Sequence, residues 1–447
     1  MDFVKKDLEH IWHPCSQMKD YEELPPIVIN HAKGIYLYDL QGKRYMDVIS
    51  SWWCNLFGHC NERISSAIKA QLDKLEHVIF ANFSHVPAIT LCDTLSKLTP
   101  EGLVKFFFTD NGSSAMETAM KISFQYHAQT GNSQKTRFMA LRDAYHGETL
   151  GALSVGGVNL YTELYKPLLL DVTRIDGPDC YRCKYGQRKE TCNAECIATA
   201  EAAFAAYADQ VCAIVVEPLV QAAAGMKIYS PVYLSRLREL CDKYNVHLIA
   251  DEISTGFGRT GKMFACNHAD ISPDIMCVSK GLTGGYMPMA LVITTDKIYD
   301  AFYADYSEGK AFMHSHTYCG NPLACSAAIE VLNIFQDENI IHMLNQKAVY
   351  FNRLIKERLS NNDKVGDLRQ IGLINALELV KNKETKEPFD SKHRYGYQIY
   401  KKALEKGVLL RPIGDVIYFN PPFIISETDM EFAVDVCAQC LEEVVML

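Results

Sequence analysis

The sequence predicts an α/β protein: a mostly parallel β-sheet covered by helices, with a smaller α+β domain from the N- and C-terminal segments. Three observations predict it. From about residue 100 to about 330, short apolar runs alternate with helix-spaced segments in a repeated strand–loop–helix order. Two of those runs, Val246–Ala250 and Ile275–Val278, end in polar signals, Asp251-Glu252 and Ser279-Lys280-Gly281. In a parallel sheet both would open on the same edge, where open α/β folds bind ligands. After residue 336 the pattern turns to a long helix, short strands and two further helices.

Composition bounds the rest. The 447 residues are 48% hydrophobic, ample for a large core and enough for two domains. We expect residues 1–58 to join the small domain, 59–330 to form the large one, and 331–447 to complete the small one. Net charge is -9 with no basic stripe, which argues against nucleic acid or an anionic membrane as partner. The start, MDFVKKDLEHIWHP, lacks the apolar core of a secretory signal, and no run approaches the length of a membrane span. Sixteen cysteines, many in core-like runs (Cys54, Cys212, Cys241, Cys277, Cys325), suit a reducing cytoplasm better than a disulfide scaffold.

In chain order, Gly34–Val48 alternates apolar and polar residues around Gln41-Gly42 and reads as a β-hairpin. Ser50-Ser51-Trp52-Trp53 follows; two adjacent tryptophans after a strand cannot both face one core, so either one lines a cavity or interface or both are half-buried. Asn61–His77 and Pro87–Leu98 carry helical spacing, and Val104–Thr109 reads as a buried strand. Asp110-Asn111-Gly112-Ser113-Ser114 then opens a helix over Ala115–Gln129. That turn either presents free N–H groups and hydroxyls to an anion or is a serine N-cap with Glu117 closing a capping box. Arg137–Leu141 is a strand ending near Tyr145, placed to stack on a planar ligand or simply to pack. Cys180, Cys183, Cys192 and Cys196 have the spacing C-x2-C-x8-C-x3-C, which reads as a thiolate metal site or as a surface insertion with reduced thiols. Val211–Val216 is a strand ending at Glu217, with Gln221 beyond; Ala198–Ala208, Pro231–Tyr244 and Pro322–Phe335 are helices, and Leu291–Thr294 a strand. Near the end, Arg411-Pro412 closes a strand over Val408–Arg411; a guanidinium there could hold a carboxylate bidentately or lie free on the surface.

Gly256-Phe257-Gly258-Arg259-Thr260-Gly261-Lys262 resembles both a dinucleotide fingerprint and a P-loop. Met263 stands where a P-loop needs a hydroxyl, and five residues separate the glycines from the preceding strand, so a flexible loop is the expectation. A pyridoxal-phosphate site uses more of the chain. It needs a lysine to bond the cofactor, a carboxylate at the pyridine nitrogen, an aromatic cover and a phosphate cradle. Lys280, Asp251, Tyr145 and Gly112-Ser113 supply these from separate strand ends.

The motifs DEISTGFGRTGK and SKGLTGG resemble the class III (ω-) aminotransferases of PLP fold type I, and the resemblance runs the whole chain. HIWHP, SSWW, AYHGET and LLRPIG are similar to the branch that makes 7,8-diaminononanoate in biotin synthesis. The resemblance implies a seven-stranded-type sheet and pyridoxal 5'-phosphate as cofactor. It implies Lys280 as Schiff-base and proton-moving residue, Asp251 as pyridinium partner, and Tyr145 at the ring and substrate. Gly112 and Ser113 would bind the phosphate, and Thr317, with His316 beside it, the phosphate of a partner subunit in a homodimer with shared sites. Trp52, Ser315 and Cys15 would line the substrate pocket, and Arg411 would hold the carboxylate of 8-amino-7-oxononanoate. Cys15 follows HIWHP where members often carry an aromatic, and Ser315-His316 replace a frequent Gly-Pro. S-adenosylmethionine is the expected amino donor and lysine the alternative; ornithine-, γ-aminobutyrate- or β-alanine-type aminotransferases are the nearest rivals. No metal is assigned.

Overall fold

The computed structural model describes residues 2–445. Its centre is a seven-stranded sheet in the spatial order Leu103–Thr109, Ala290–Thr295, Ile275–Val278, His247–Asp251, Val211–Val216, Arg137–Leu141, Val172–Ile175. Ala290–Thr295 runs antiparallel to both neighbours; all the other pairings are parallel. The strands are short and apolar because both faces are covered. Ile214 and Val216 enter one core cluster while Ala213 and Val215 enter the opposite one.

The chain ends meet in smaller sheets. Ile29–Lys33, Tyr36–Asp39 and Arg44–Asp47 form an antiparallel meander, and Val408–Leu409 adds to its last strand in parallel. The expected hairpin turn is real: Asp39 Oδ1 accepts from the backbone N–H of Gln41 and Lys43, both at 2.9 Å, and Gly42 takes φ +81°. Val365–Ile371, Ile374–Leu379 and Val416–Phe419 make a second antiparallel sheet, packed with the helices Ile340–Leu359, Tyr395–Glu405 and Glu427–Val445.

The two tryptophans separate by an unusual route. Ser50, Ser51, Trp52 and Trp53 all have positive φ (51°, 45°, 75° and 74°), a single left-handed turn of non-glycine residues. Each such residue costs about 1–2 kcal/mol, so the surroundings must impose the turn. Asp47 does much of this: its carboxylate accepts from Ile49 N and from Ser51 Oγ at 2.6 Å, and meets His59 Nε2 at 3.1 Å. Burial alone would raise the Asp47 pKa, but the hydrogen bonds from His59 and Ser51 outweigh it and hold the carboxyl below its usual range. Ser50 Oγ donates to Asn420 O, and Trp53 Nε1 to Tyr418 Oη. Trp53 is thereby buried and Trp52 left 40% exposed.

Four local expectations need correction. The helix after Leu103–Thr109 begins at Gly112 rather than Ala115, because Asn111, not a serine, caps it by accepting from Ser114 N at 3.0 Å. Glu117 closes no capping box; it reaches across to accept from Gly151 N and Ala152 N at the start of the helix Leu150–Val155. The strand expected to end at Arg411 stops at Leu409. Gly256–Gly261 is also no free loop. Arg259 within it is fully buried and donates to Asn420 Oδ1, Pro421 O, Trp53 O and Asn55 O, tying both chain ends to the large sheet.

Under the same sheet lie two buried histidines with rings 4.5 Å apart. His127 Nε2 donates to Cys212 O at 3.0 Å, and His247 Nδ1 lies 2.9 Å from Ser123 Oγ. Burial depresses their pKa values to about 4 and about 3. Above a pH of about 6.5 both rings are neutral folded and unfolded. Below it the unfolded chain takes up protons the folded one refuses, so stability falls as pH falls through the window down to those values. Thermal midpoints should therefore hold from pH 8 to 7 and drop by pH 5, with a shallower drop in His247→Asn. Equal slopes for variant and wild type would contradict this.

Candidate active site

Five strands deliver their C-terminal ends to one cavity of 520 Å³. Leu103–Thr109 leads to Asn111, Gly112 and Ser113; Arg137–Leu141 to Tyr145–Thr149; Val211–Val216 to Glu217; His247–Asp251 ends on Asp251; Ile275–Val278 leads to Ser279 and Lys280. Asp251 and Lys280 thus come together where the two polar strand ends predicted them.

Asp251 is buried. Its Oδ2 accepts from His146 Nδ1 at 2.7 Å and its Oδ1 from Ile253 N at 3.1 Å. His146 is itself buried and its Nε2 has no hydrogen-bond partner. Glu217 accepts from Tyr145 N at 2.9 Å and Ala222 N at 3.0 Å. Burial first, and then the Asp251 charge, push its pKa up to about 8. Burial thus favours the neutral form of Glu217 on the cavity floor. Burial lowers the pKa of the Lys280 amine, against the opposing pull of Asp251. Its Nζ sits 4.9 Å from the centre of the Trp53 ring. A lysine whose ammonium form is disfavoured is a nucleophile and base in waiting.

The opposite wall is shaped by glycines. A Cβ at Gly112 would lie 2.9 Å from Ile253 Cδ1, and one at Gly147 2.4 Å from Ser113 Oγ. Without them, Ser113 Oγ closes onto Thr149, 2.8 Å from Oγ1 and 3.0 Å from N. The N-terminal turn of Gly112–Gln129 so offers backbone N–H groups and hydroxyls together, the donors an anion needs.

A second, larger cavity of 1050 Å³ adjoins the first, with Glu148 lining both. Its wall carries Cys15, Tyr161, Tyr400 and Arg411. Tyr145 Oη donates to Glu148 Oε1 at 3.1 Å, and the Tyr145 and Tyr161 rings lie 5.3 Å apart. Arg411 stacks over Trp52 at 4.4 Å and donates from Nη2 to Cys15 O at 3.1 Å. Cys15 Sγ lies 3.7 Å from Glu148 Oε1.

Of the residues the sequence singled out, Gly112, Ser113, Tyr145, Asp251 and Lys280 share the first cavity. Cys15 and Arg411 line the second, with Trp52 under the Arg411 guanidinium. Ser315, His316 and Thr317 line neither cavity of this chain; they lie between Phe312 and Asn321, with Ser315 and Thr317 exposed. Gln221 turns away to donate to Arg142 O at 2.9 Å. The thiols of Cys180, Cys183, Cys192 and Cys196 are free and do not converge as a set of ligand atoms within 4.8 Å of one another. Sequence reasoning missed Trp53, His146, Glu148 and Arg259. His146 and Glu148 lie inside AYHGET and could have been found there; the left-handed turn that selects Trp53 over Trp52 has no sequence signal.

The donor set fits pyridoxal phosphate: an amine of lowered pKa, a buried carboxylate held by two donors, a tyrosine, and a glycine-walled helix N-terminus with hydroxyls. The orphaned His146 Nε2 and the closeness at Gly112 and Gly147 mark a cavity built for a specific group rather than a packing gap.

The family model described as Aminotransferase class-III matches residues 17–441. The chain is 43% identical over 433 residues to the adenosylmethionine-8-amino-7-oxononanoate aminotransferase of Geobacter sulfurreducens, covering 96% of this chain and 95% of that protein. It is 44% identical over 441 residues to the protein of that name from Helicobacter pylori, covering 98% and 97%. The crystal structure of the protein of that name from Methanocaldococcus jannaschii superposes with TM-score 0.93 at 39% identity, covering 99% of this chain and 98% of that one. The Pseudomonas jessenii omega transaminase in complex with PMP superposes with TM-score 0.94 at 28% identity, covering 100% and 99%.

Proposed function

This chain belongs to the class III aminotransferases, and on that premise we propose that it moves an amino group onto 8-amino-7-oxononanoate, giving 7,8-diaminononanoate, with S-adenosylmethionine as donor. It is a pyridoxal-phosphate-dependent transaminase of PLP fold type I. The observation that carries the substrate reading is the second cavity: it adjoins the Lys280 cavity at Glu148, holds Arg411 at its wall, and offers 1050 Å³. That volume, walled by Tyr161, Tyr400 and Tyr21, suits a nucleoside-bearing donor better than lysine, and the tyrosines offset the absence of an aromatic at Cys15. The names of the relatives support the same pair of substrates.

Bound in the first cavity, the cofactor supplies an electron sink that makes the proton on an amine-bearing carbon removable, and it carries the amino group between substrates. The chain's residues do the rest. Lys280 Nζ would hold the cofactor at rest, and its free amine would take the proton from the donor's α-carbon and give it back, as base then acid. Asp251, oriented by His146 Nδ1 and Ile253 N, would hold the proton on the pyridine nitrogen. Gly112, Ser113 and Thr149 would hold the phosphate. Tyr145 would cover the ring, and Trp53 lies with its ring centre 4.9 Å from Lys280 Nζ. Arg411 binds the acceptor's carboxylate, Trp52 holding the guanidinium flat.

Arg411→Ala should leave kcat nearly unchanged and raise KM for the acceptor by roughly ten- to a hundredfold, the equivalent of about 1.5–3 kcal/mol for a charged hydrogen bond. Steady-state kinetics with varied acceptor checks this; an unchanged KM would remove Arg411 from the carboxylate. A donor screen with 8-amino-7-oxononanoate fixed as acceptor tests the substrate reading itself. Turnover with S-adenosylmethionine and not with lysine supports it; turnover with lysine alone, or with neither, overturns the donor or the acceptor.

The chain is proposed to work as a homodimer in the cytoplasm. Exposed Ile79, Phe83, Val86, Ile89 and Met313, each at least 60% exposed, are apolar surface that a second copy would cover. Thr317, exposed on the same segment as Met313, would then face the partner's phosphate site. The free cysteines suit a reducing compartment, and among the described residues no helix is long and apolar enough to cross a membrane.

A further inference from the structure

We propose that Asp110, His316 and Cys319 bind a divalent cation of the zinc class, at a site separate from both cavities. Among the described residues they are the one set of three or more His, Cys, Asp or Glu whose ligand atoms all lie within 4.8 Å of one another. Neither cavity includes any of them.

The three come from two elements held in register. Asp110 follows the strand Leu103–Thr109, while His316 and Cys319 stand three apart in the segment before the helix Pro322–Asp337. Cys319 Sγ lies 3.0 Å from Phe108 O and receives the His316 backbone N–H at 3.4 Å. The thiol is thus fixed against the strand from which Asp110 emerges, and the H-x2-C spacing is that of a metal-ligand pair.

His316 and Asp110 meet at ion-pair distance without a hydrogen bond. The His316 Nδ1 is 3.1 Å from Asp110 Oδ2, yet it is shut off from solvent and makes no hydrogen bond. A cation shared with the Asp110 carboxylate and the Cys319 sulfur would give that nitrogen the partner it lacks. Around zinc, ligands at about 2.0–2.3 Å stand roughly 3.3–3.8 Å apart, so the present spread needs only a small contraction. The donors choose the metal class: imidazole and thiolate favour zinc and its neighbours, whereas calcium and magnesium want oxygen alone. On binding, Cys319 gives up its thiol proton and His316 binds as the neutral ring, with a water completing four ligands.

The ion would clamp the segment carrying Thr317 to the residue just before the Asn111–Ser113 turn. The proposal needs no assignment of cofactor or substrate.

The test is equilibrium dialysis of the holoenzyme against zinc ions, with metal analysis of protein and buffer. The wild type is expected to hold one ion per chain. His316→Ala and Cys319→Ala should weaken binding by more than about tenfold, with thermal unfolding verifying that each is folded. Two variants guard against the failure of one. Cys192→Ser is the control for the other cysteine group and should bind as the wild type does. No stoichiometric zinc, equal binding by the two site variants, or loss of binding only in Cys192→Ser would each overturn the site.

Discussion

Lys280→Ala is expected to abolish transamination, with kcat falling on the order of 10⁴-fold, the upper range for removal of a proton-transferring side chain. The protein should also lose the visible absorbance of a lysine-bonded cofactor. Its fold should persist. Lys280 has φ +46°, a strained conformation that alanine tolerates no worse than lysine does. The side chain ends in a cavity, so little packing is lost. Its lowered pKa, caused by burial against the pull of Asp251, is what lets the amine act near neutral pH. Turnover and absorbance measured together check the prediction; normal transamination by the variant would move the chemistry to another residue.

Asp251→Asn keeps size and removes charge. We expect kcat to fall on the order of 10²–10³-fold, the usual cost of deleting one preorganised electrostatic partner. The effect should also appear without turnover. The Asp251 charge is one of the causes that hold Glu217 up at about 8, so the Glu217 titration should move down in the variant. The same charge supports the protonated Lys280, so that pKa should fall further. A merely structural role would leave both titrations in place. An unmoved Glu217, followed by its carboxyl vibrational band, would contradict the proposed electrostatics of the floor.

Much of this site was legible in the residues. Asp251 and Lys280 were readable because short buried strands announce their own ends, and in a parallel sheet those ends share an edge. Gly112-Ser113 was readable for the same reason, one strand over. What stayed hidden depended on conformations that no periodicity encodes. Trp53 and not Trp52 stands beside Lys280 because four consecutive residues are forced into a left-handed turn by Asp47, His59 and Asn420, contacts up to 370 residues apart in sequence. Arg259 was masked by its glycines. The run looked flexible, yet its job is to bury a guanidinium whose four acceptors come from distant segments. Glu117 looked like half of a capping box until the fold offered it a better pair of donors at Gly151 and Ala152. Local rules failed where long-range hydrogen bonds competed with them.

The most direct test of the central claim, that the strand-edge cavity around Lys280 performs the transamination, is to reduce the cofactor-loaded enzyme with borohydride and map the modified peptide by mass spectrometry. The account predicts a single cofactor adduct, on Lys280, prevented by prior addition of the amino donor. An adduct on a different lysine, or none in enzyme that still turns over, would contradict it.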